Sequence, residues 1–191
     1  MDGDRKNKIL IIGASGFIGN AIYKELCAFY DTYGTYCFTE KEFKENGQFF
    51  EYDVEQTDIY ELLERIKPDY IISAIRGNFT AQVLAHQHIV EYISTYKCKL
   101  LYLSSANVFD AYSKYPSYEL DKTLSLSIYG RLKIKIENML LRLPKSKAII
   151  VRLPMVFGNN SPRIKEIKTL LNAKEPIEVF PNLIFNVTHI E

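Results

Sequence analysis

The sequence predicts an α/β protein built on a doubly wound parallel sheet, and three observations carry that prediction. Short runs rich in β-branched and apolar residues alternate with longer helical patterns, the signature of strands joined by crossover helices. Several of the runs are apolar almost throughout, as strands covered on both faces must be. The distinctive short motifs fall at the carboxyl ends of these runs, where ligands collect in open parallel sheets.

Taken in chain order, strands are expected over 8–13, 33–38, 49–52, 70–74, 100–104 and 148–153. Helices are expected near 17–30, 57–66, 80–96, 121–143 and 162–172. Thr57 and Asp58 can cap the second helix, and Ser161-Pro162 suits the start of the last. Right-handed crossovers would place helices on both faces of the sheet. No internal repeat or low-complexity linker interrupts the pattern.

Composition narrows the classes. The 191 residues are 47% apolar and 25% charged, enough for one sizeable core. Lys plus Arg is 24 against 23 Asp plus Glu, a net charge of +1 that offers no electrostatic footprint for nucleic acid or an anionic membrane. The apolar run after the basic N-terminal residues breaks at Gly13, too early for a signal sequence or a membrane span, so a cytoplasmic protein is expected. Cys27, Cys37 and Cys98 are odd in number and lack metal-ligand spacing, so each is expected to be a buried, reduced thiol, and no metal site is expected. His86 and His88 are expected at the surface or in an interface.

The first strand runs into Gly13-Ala14-Ser15-Gly16-Phe17-Ile18-Gly19, and a helical pattern follows. Gly13 allows a tight turn, Gly16 lets backbone approach a pyrophosphate, and Gly19 lets the helix pack close to its strand. Free N–H groups of the helix start, with the Ser15 hydroxyl, can meet phosphate charge. At the end of the second strand Glu40 would favour NAD, whereas Thr39 with Lys41 would suit the 2′-phosphate of NADP; both cofactors stay open.

The fifth strand delivers Ser104-Ser105 at its end, and Tyr129-Gly130-Arg131-Leu132-Lys133 follows in a helical stretch. A spacing of four puts Tyr129 and Lys133 on one helix face. A free tyrosine has a pKa of about 10, so acid–base work near neutrality needs a nearby cation to favour the phenolate, and Lys133 can supply it. Lys133 can also hold ribose hydroxyls, and Ser105 can hydrogen-bond a reacting carbonyl. The same spacing also suits a tyrosine packed inward beside a snorkelling lysine; the phosphate loop and the serine pair favour catalysis.

With these residues the chain resembles the extended short-chain dehydrogenase/reductase family, also called the NAD-dependent epimerase/dehydratase family. The likeness rests on residues 13–19, Asp53-Val54, the stretch ending at Ala74, the segment from Leu103 to Phe109, Tyr129 to Lys133 with Glu137, and 151–158. It implies a Rossmann-like fold and an NAD or NADP cofactor. Asp53 and Val54 would meet adenine, Ala74 would line the cofactor cleft, and Pro154 through Val156 would lie beside the nicotinamide. Ser105, Tyr129 and Lys133 would form the catalytic triad, with Tyr129 and Lys133 also touching cofactor. Val108-Phe109-Asp110, Tyr118-Glu119 and Gly34-Thr35-Tyr36 look like the dTDP-4-dehydrorhamnose reductase branch, although that branch usually carries Thr-Asp-Tyr where this chain has Ser105-Ala106-Asn107. The lack of an Asp-Glu pair after Ser105 sets the chain apart from the sugar 4,6-dehydratases.

The resemblance implies a dinucleotide-binding domain with the catalytic residues over 1–158 and the start of a substrate-binding lobe over 159–191. Family members continue past this point to complete that lobe, so a truncated, incomplete lobe is expected. A nucleotide sugar is the expected partner, and a homodimer is compatible with the family. Reduction of a 4-keto nucleotide sugar is the leading expectation. An NAD-dependent 4-epimerase and a nucleotide-binding regulatory subunit without turnover are the alternatives.

Overall fold

The computed structural model describes residues 6–37, 41–112, 115–178 and 186–191. Six strands among the described residues form one parallel sheet: β1 (Lys8–Ile12), β2 (Asp31–Tyr36), β3 (Phe49–Glu51), β4 (Tyr70–Ser73), β5 (Lys99–Ser105) and β6 (Ala148–Leu153). Their order is β3-β2-β1-β4-β5-β6, so the sheet grows one way from β1 to β3 and the other way from β4 to β6. The expected doubly wound α/β architecture is present.

Side chains alternate across the sheet and feed two cores. Leu10 and Ile12 of β1, Ile71 of β4, and Leu100 and Tyr102 of β5 pack against α3 (Ile59–Ile66), α4 (Phe79–Thr95) and α5 (Ile128–Leu140). Ile9 and Ile11 turn the other way, with Tyr36, Phe49 and Ile72, toward α1 (Phe17–Leu26) and α2 (Lys41–Lys44). Each fully buried Leu or Ile contributes roughly 1.5–3 kcal/mol by leaving water. After β6 the chain forms β7 (Met155–Phe157), α6 (Pro162–Ala173) and β8 (Val187–His189), with β7 and β8 paired in parallel as a small second sheet.

Several expectations shift. The first helix stops at Leu26, and β2 begins at Asp31 rather than 33. Asp58 caps α3 by accepting from the Tyr60 N–H at 2.9 Å, whereas the Thr57 hydroxyl closes a turn on the Asp53 carbonyl at 2.6 Å. The fifth helix starts at Ile128, not near 121, because Asp110 holds the preceding residues out of the helix: its carboxylate accepts from the Leu126 N–H and the Ser127 hydroxyl, both at 2.6 Å, and from the Ser125 hydroxyl at 2.8 Å. Of the cysteines only Cys98 is buried; Cys27 is exposed and Cys37 half-buried.

His86 also corrects its expectation. It is wholly buried between α4 and the sheet, with Nδ1 2.6 Å from the Gln82 carbonyl and Nε2 3.0 Å from the Ser73 hydroxyl. The carbonyl can only accept, so Nδ1 carries the proton and Ser73 donates to Nε2. Burial lowers the His86 pKa to about 4, which keeps the ring neutral. His88 is the surface residue of the pair, 2.9 Å from Asp58.

Candidate active site

A crevice opens at the carboxyl ends of β1 and β4, where α1 leaves toward one face of the sheet and α4 toward the other. The turn after β1 begins with Gly13 at φ +87°, and a Cβ there would lie 2.6 Å from the Ala74 carbonyl oxygen. An L side chain is excluded on both counts. Thr35 of β2 pins this turn: its hydroxyl accepts from the Gly13 N–H at 2.8 Å and its carbonyl from the Ser15 N–H at 3.1 Å. A Cβ on Gly19 would run into the Gly13 carbonyl, and one on Gly16 would stand 3.2 Å from the same oxygen.

Gly16 is the N-cap of α1 and offers no side-chain acceptor. Helix geometry leaves the N–H groups of Phe17, Ile18 and Gly19 without a carbonyl inside the helix. Such a helix start attracts an anion.

The other wall of the crevice comes from β5 and α5. The Ser105 hydroxyl accepts from the Asn107 N–H and lies within hydrogen-bond distance of Asn107 Oδ1, both at 3.2 Å, closing a single 3₁₀ turn over Ala106–Phe109. Ser127 then caps α5, accepting from the Gly130 N–H at 3.0 Å. Gly130 is packed so tightly on Ser125 and the Asn107 carbonyl that no side chain fits. This close seat brings Tyr129 beside Ser105, whose hydroxyl favours the phenolate form of the tyrosine.

Lys133 lies one turn further along, buried, and its ammonium donates to the Leu103 carbonyl at 3.0 Å. It stands 4.8 Å from the Tyr102 ring centre and 5.5 Å from that of Tyr129. Burial lowers the Lys133 pKa to about 8, with Glu137 opposing. Burial raises the Tyr129 pKa above its ordinary value, and the opposing influences are the Ser105 hydroxyl and the charge of Arg76.

A third turn of α5 carries Glu137, only 1% exposed. Its carboxylate accepts from the Ser104 hydroxyl at 2.5 Å and from Arg152 of β6 at 2.8 and 3.1 Å. Arg152 in turn donates to the Glu119 carbonyl at 2.7 Å and covers the Phe109 ring. This network ties α5 to β5 and β6 beneath the reactive side chains.

Two adjoining cavities fill the crevice. One of about 560 Å³ is lined by Gly13, Ser15, Gly16, Asp53, Val54 and Ala74 among others. The second, about 600 Å³, is lined by Gly16 through Gly19, Ala74, Ser105, Tyr129, Lys133 and Pro154 through Val156. The candidate residues read from the sequence thus share one crevice, except Thr39, which lies outside the described residues together with Glu40. Arg76 and Gln82 also line it and were not singled out in the sequence, and so does Asn107, which the sequence marked only as a departure from the reductase branch. Among the described residues no group of three or more His, Cys, Asp or Glu side chains could hold a metal ion, and no helix is long and apolar enough to cross a membrane.

Comparison with known proteins follows the same residues. The dTDP-4-dehydrorhamnose reductase of Aggregatibacter actinomycetemcomitans is 27% identical over an alignment covering 86% of this chain and 56% of that protein. The chain therefore spans little more than half the length of that relative. The UDP-glucuronic acid 4-epimerase of Bacillus cereus, solved with UDP-glucuronic acid and NAD, superposes with a TM-score of 0.76 at 23% identity, over 96% of this chain and 69% of that one. The UDP-glucose 4-epimerase of Thermus thermophilus, solved with NAD, gives 0.79 at 15% identity, over 96% and 70%. These solved structures share the fold. At the level of sequence, the RmlD substrate binding domain family matches residues 7–186, nearly the whole described length, and the chain belongs to that family.

Proposed function

We propose that this chain supplies the dinucleotide-binding and acid–base groups of an NAD(P)-dependent reductase acting on a 4-keto nucleotide sugar. One observation carries the reading: Ser105, Tyr129 and Lys133 line the same cavity as the glycine turn and the open start of α1. The similarity to dTDP-4-dehydrorhamnose reductase supports a 4-keto sugar on a nucleoside diphosphate as the substrate class. The NAD held by the structural relatives supports a dinucleotide in the crevice.

The crevice fits such a group. Gly13 and Gly16 leave backbone where a Cβ would crowd, and the first turn of α1 offers N–H donors to a diphosphate. Asp53 and Val54 would border the adenine, and Pro154 would border the nicotinamide. When bound, the nicotinamide supplies a hydride to the carbonyl carbon. Tyr129 donates its proton to the carbonyl oxygen, and its raised pKa keeps that proton in place at neutral pH until the oxygen gains charge. Ser105, turning from Asn107, donates a hydrogen bond to the same oxygen. The Lys133 ammonium stabilises the phenolate left behind and hydrogen-bonds the ribose hydroxyls.

Tyr129→Phe keeps the ring and its packing and deletes only the proton donor. Turnover of a 4-keto nucleotide sugar with NADH or NADPH is expected to fall ~10²–10⁴-fold with cofactor affinity largely kept. Normal turnover in this variant would place the acid elsewhere. Interconversion of two nucleotide sugars without net use of NADH or NADPH would assign the epimerase reading instead.

A further inference from the structure

The two cavities meet along Gly16, Ala74, Ile75, Arg76 and Gly77, the residues that line both. Arg76 is the only charged side chain in that shared stretch. Beyond it the first cavity is bordered by the carboxylates of Asp53 and Glu55, and the second by the Lys133 ammonium. A molecule laid across both cavities must pass Arg76 at its middle.

The backbone that carries Arg76 is held on both sides. The Ala74 N–H donates to the Ile12 carbonyl at 2.9 Å, and the Asn78 N–H donates to Glu55 Oε1 at 3.2 Å. Between them Gly77 adopts φ +123° and lies against Val54, where a Cβ would come within 2.9 Å of Val54 Cγ1. The side chain of Arg76 is exposed, and among the described residues its guanidinium forms no hydrogen bond, ion pair or ring contact. Its charge nonetheless reaches Tyr129 in the second cavity, where it favours the phenolate. A fixed backbone thus presents an uncommitted cation to the join of the cavities.

Resting on the dinucleotide reading above, we propose that Arg76 is a second anion-binding group, which grips the diphosphate linking the two halves of the dinucleotide from the β4–α4 turn. The start of α1 offers a partial charge of roughly half a unit, whereas a diphosphate brings two full negative charges. A guanidinium matches phosphate oxygens with two parallel N–H donors, which the glycine turn alone does not offer.

Isothermal calorimetry on the whole chain tests this with NADH, NADPH, ADP and adenosine, using wild type, Arg76→Gln and Gly16→Val. Arg76→Gln is expected to keep the unliganded melting temperature, because the side chain has no partner to lose among the described residues. It should weaken NADH, NADPH and ADP alike, by roughly ten- to a hundred-fold, the scale of a hydrogen bond to a charged group, and leave adenosine unchanged. Arg76→Lys should recover part of the loss. If ADP and NADH bind Arg76→Gln within twofold of wild type while Gly16→Val abolishes binding, the Arg76 contact is wrong and the dinucleotide reading stands. A loss confined to NADPH would place Arg76 on the 2′-phosphate, and an equal loss for adenosine would place it on the nucleoside; either overturns the proposal. Failure of the wild type to bind any of the four overturns both the proposal and the reading beneath it.

Discussion

The Lys133 ammonium reaches past the Tyr102 ring to the Leu103 carbonyl, and burial brings its pKa from 10.5 down to about 8. Between pH 8 and 10.5 the unfolded chain holds a proton on this residue that the folded chain has given up. Stability therefore rises with pH across that window, and the full penalty of the buried charge is felt below about 8. Lys133→Met removes the charge and keeps the apolar stem. At pH 7 the unliganded variant should be as stable as wild type or more so, by up to ~1–3 kcal/mol, and it should lack the wild-type gain between pH 8 and 10.5. Urea titrations at pH 7 and pH 10 check both points. A variant clearly less stable at pH 7 would mean that the Leu103 hydrogen bond outweighs the desolvation. The same variant should bind dinucleotide more weakly and turn over slowly, so a residue whose burial costs the fold is one the chemistry needs.

At the scale of elements, α5 is fixed to the sheet by side-chain bonds beneath the site. It presents Tyr129, Lys133 and Glu137 at successive spacings of four, and the last is clamped to β5 through Ser104 and to β6 through Arg152. Glu137→Gln keeps the shape but leaves Arg152 without its counter-charge. A loss of about 3–5 kcal/mol is expected from breaking a buried pair on one side, measured by urea denaturation at neutral pH. Because Glu137 supports the charge of Lys133, the lysine pKa should fall further in this variant. A stability within 1 kcal/mol of wild type would show that the network is easily replaced. The helix itself was legible in the sequence, since the Tyr129–Lys133 spacing and the apolar periodicity both require it. Its start was not, because what holds the preceding residues out of the helix is long-range: Asp110 accepts from Ser125, Leu126 and Ser127, and the Val108 carbonyl accepts from the Leu124 N–H at 2.8 Å. The β7–β8 pair escaped for a related reason: three-residue strands joined across α6 leave no alternation long enough to read. Thr35 and Arg76 were equally hidden. Nothing local marks a strand threonine as the acceptor for Gly13, or a turn arginine as the residue where two cavities meet.

Across the whole molecule, the crevice is bordered by the ends of β1, β4 and β5 and by the starts of α1 and α4, with α5 closing one wall. A dinucleotide there would bridge both halves of the sheet, β1 to β3 and β4 to β6, across the place where they diverge. Binding to the folded chain alone stabilises it by ~2.7 kcal/mol at a ligand concentration a hundred times Kd. For a chain of this size each kcal/mol moves the melting temperature by roughly 2–4 °C. Saturating NADH or NADPH, whichever binds, should therefore raise Tm by about 5–10 °C in a thermal melt followed by circular dichroism. Gly16→Val should melt somewhat below unliganded wild type, since its Cβ stands a tight 3.2 Å from the Gly13 carbonyl, and its Tm should not respond to ligand because the added methyls stand where phosphate must approach. An equal ligand-induced shift in wild type and Gly16→Val would move the dinucleotide away from the glycine turn. The architecture would then hold its cleft for another ligand, and the acid–base side chains would have to be read without a cofactor beside them.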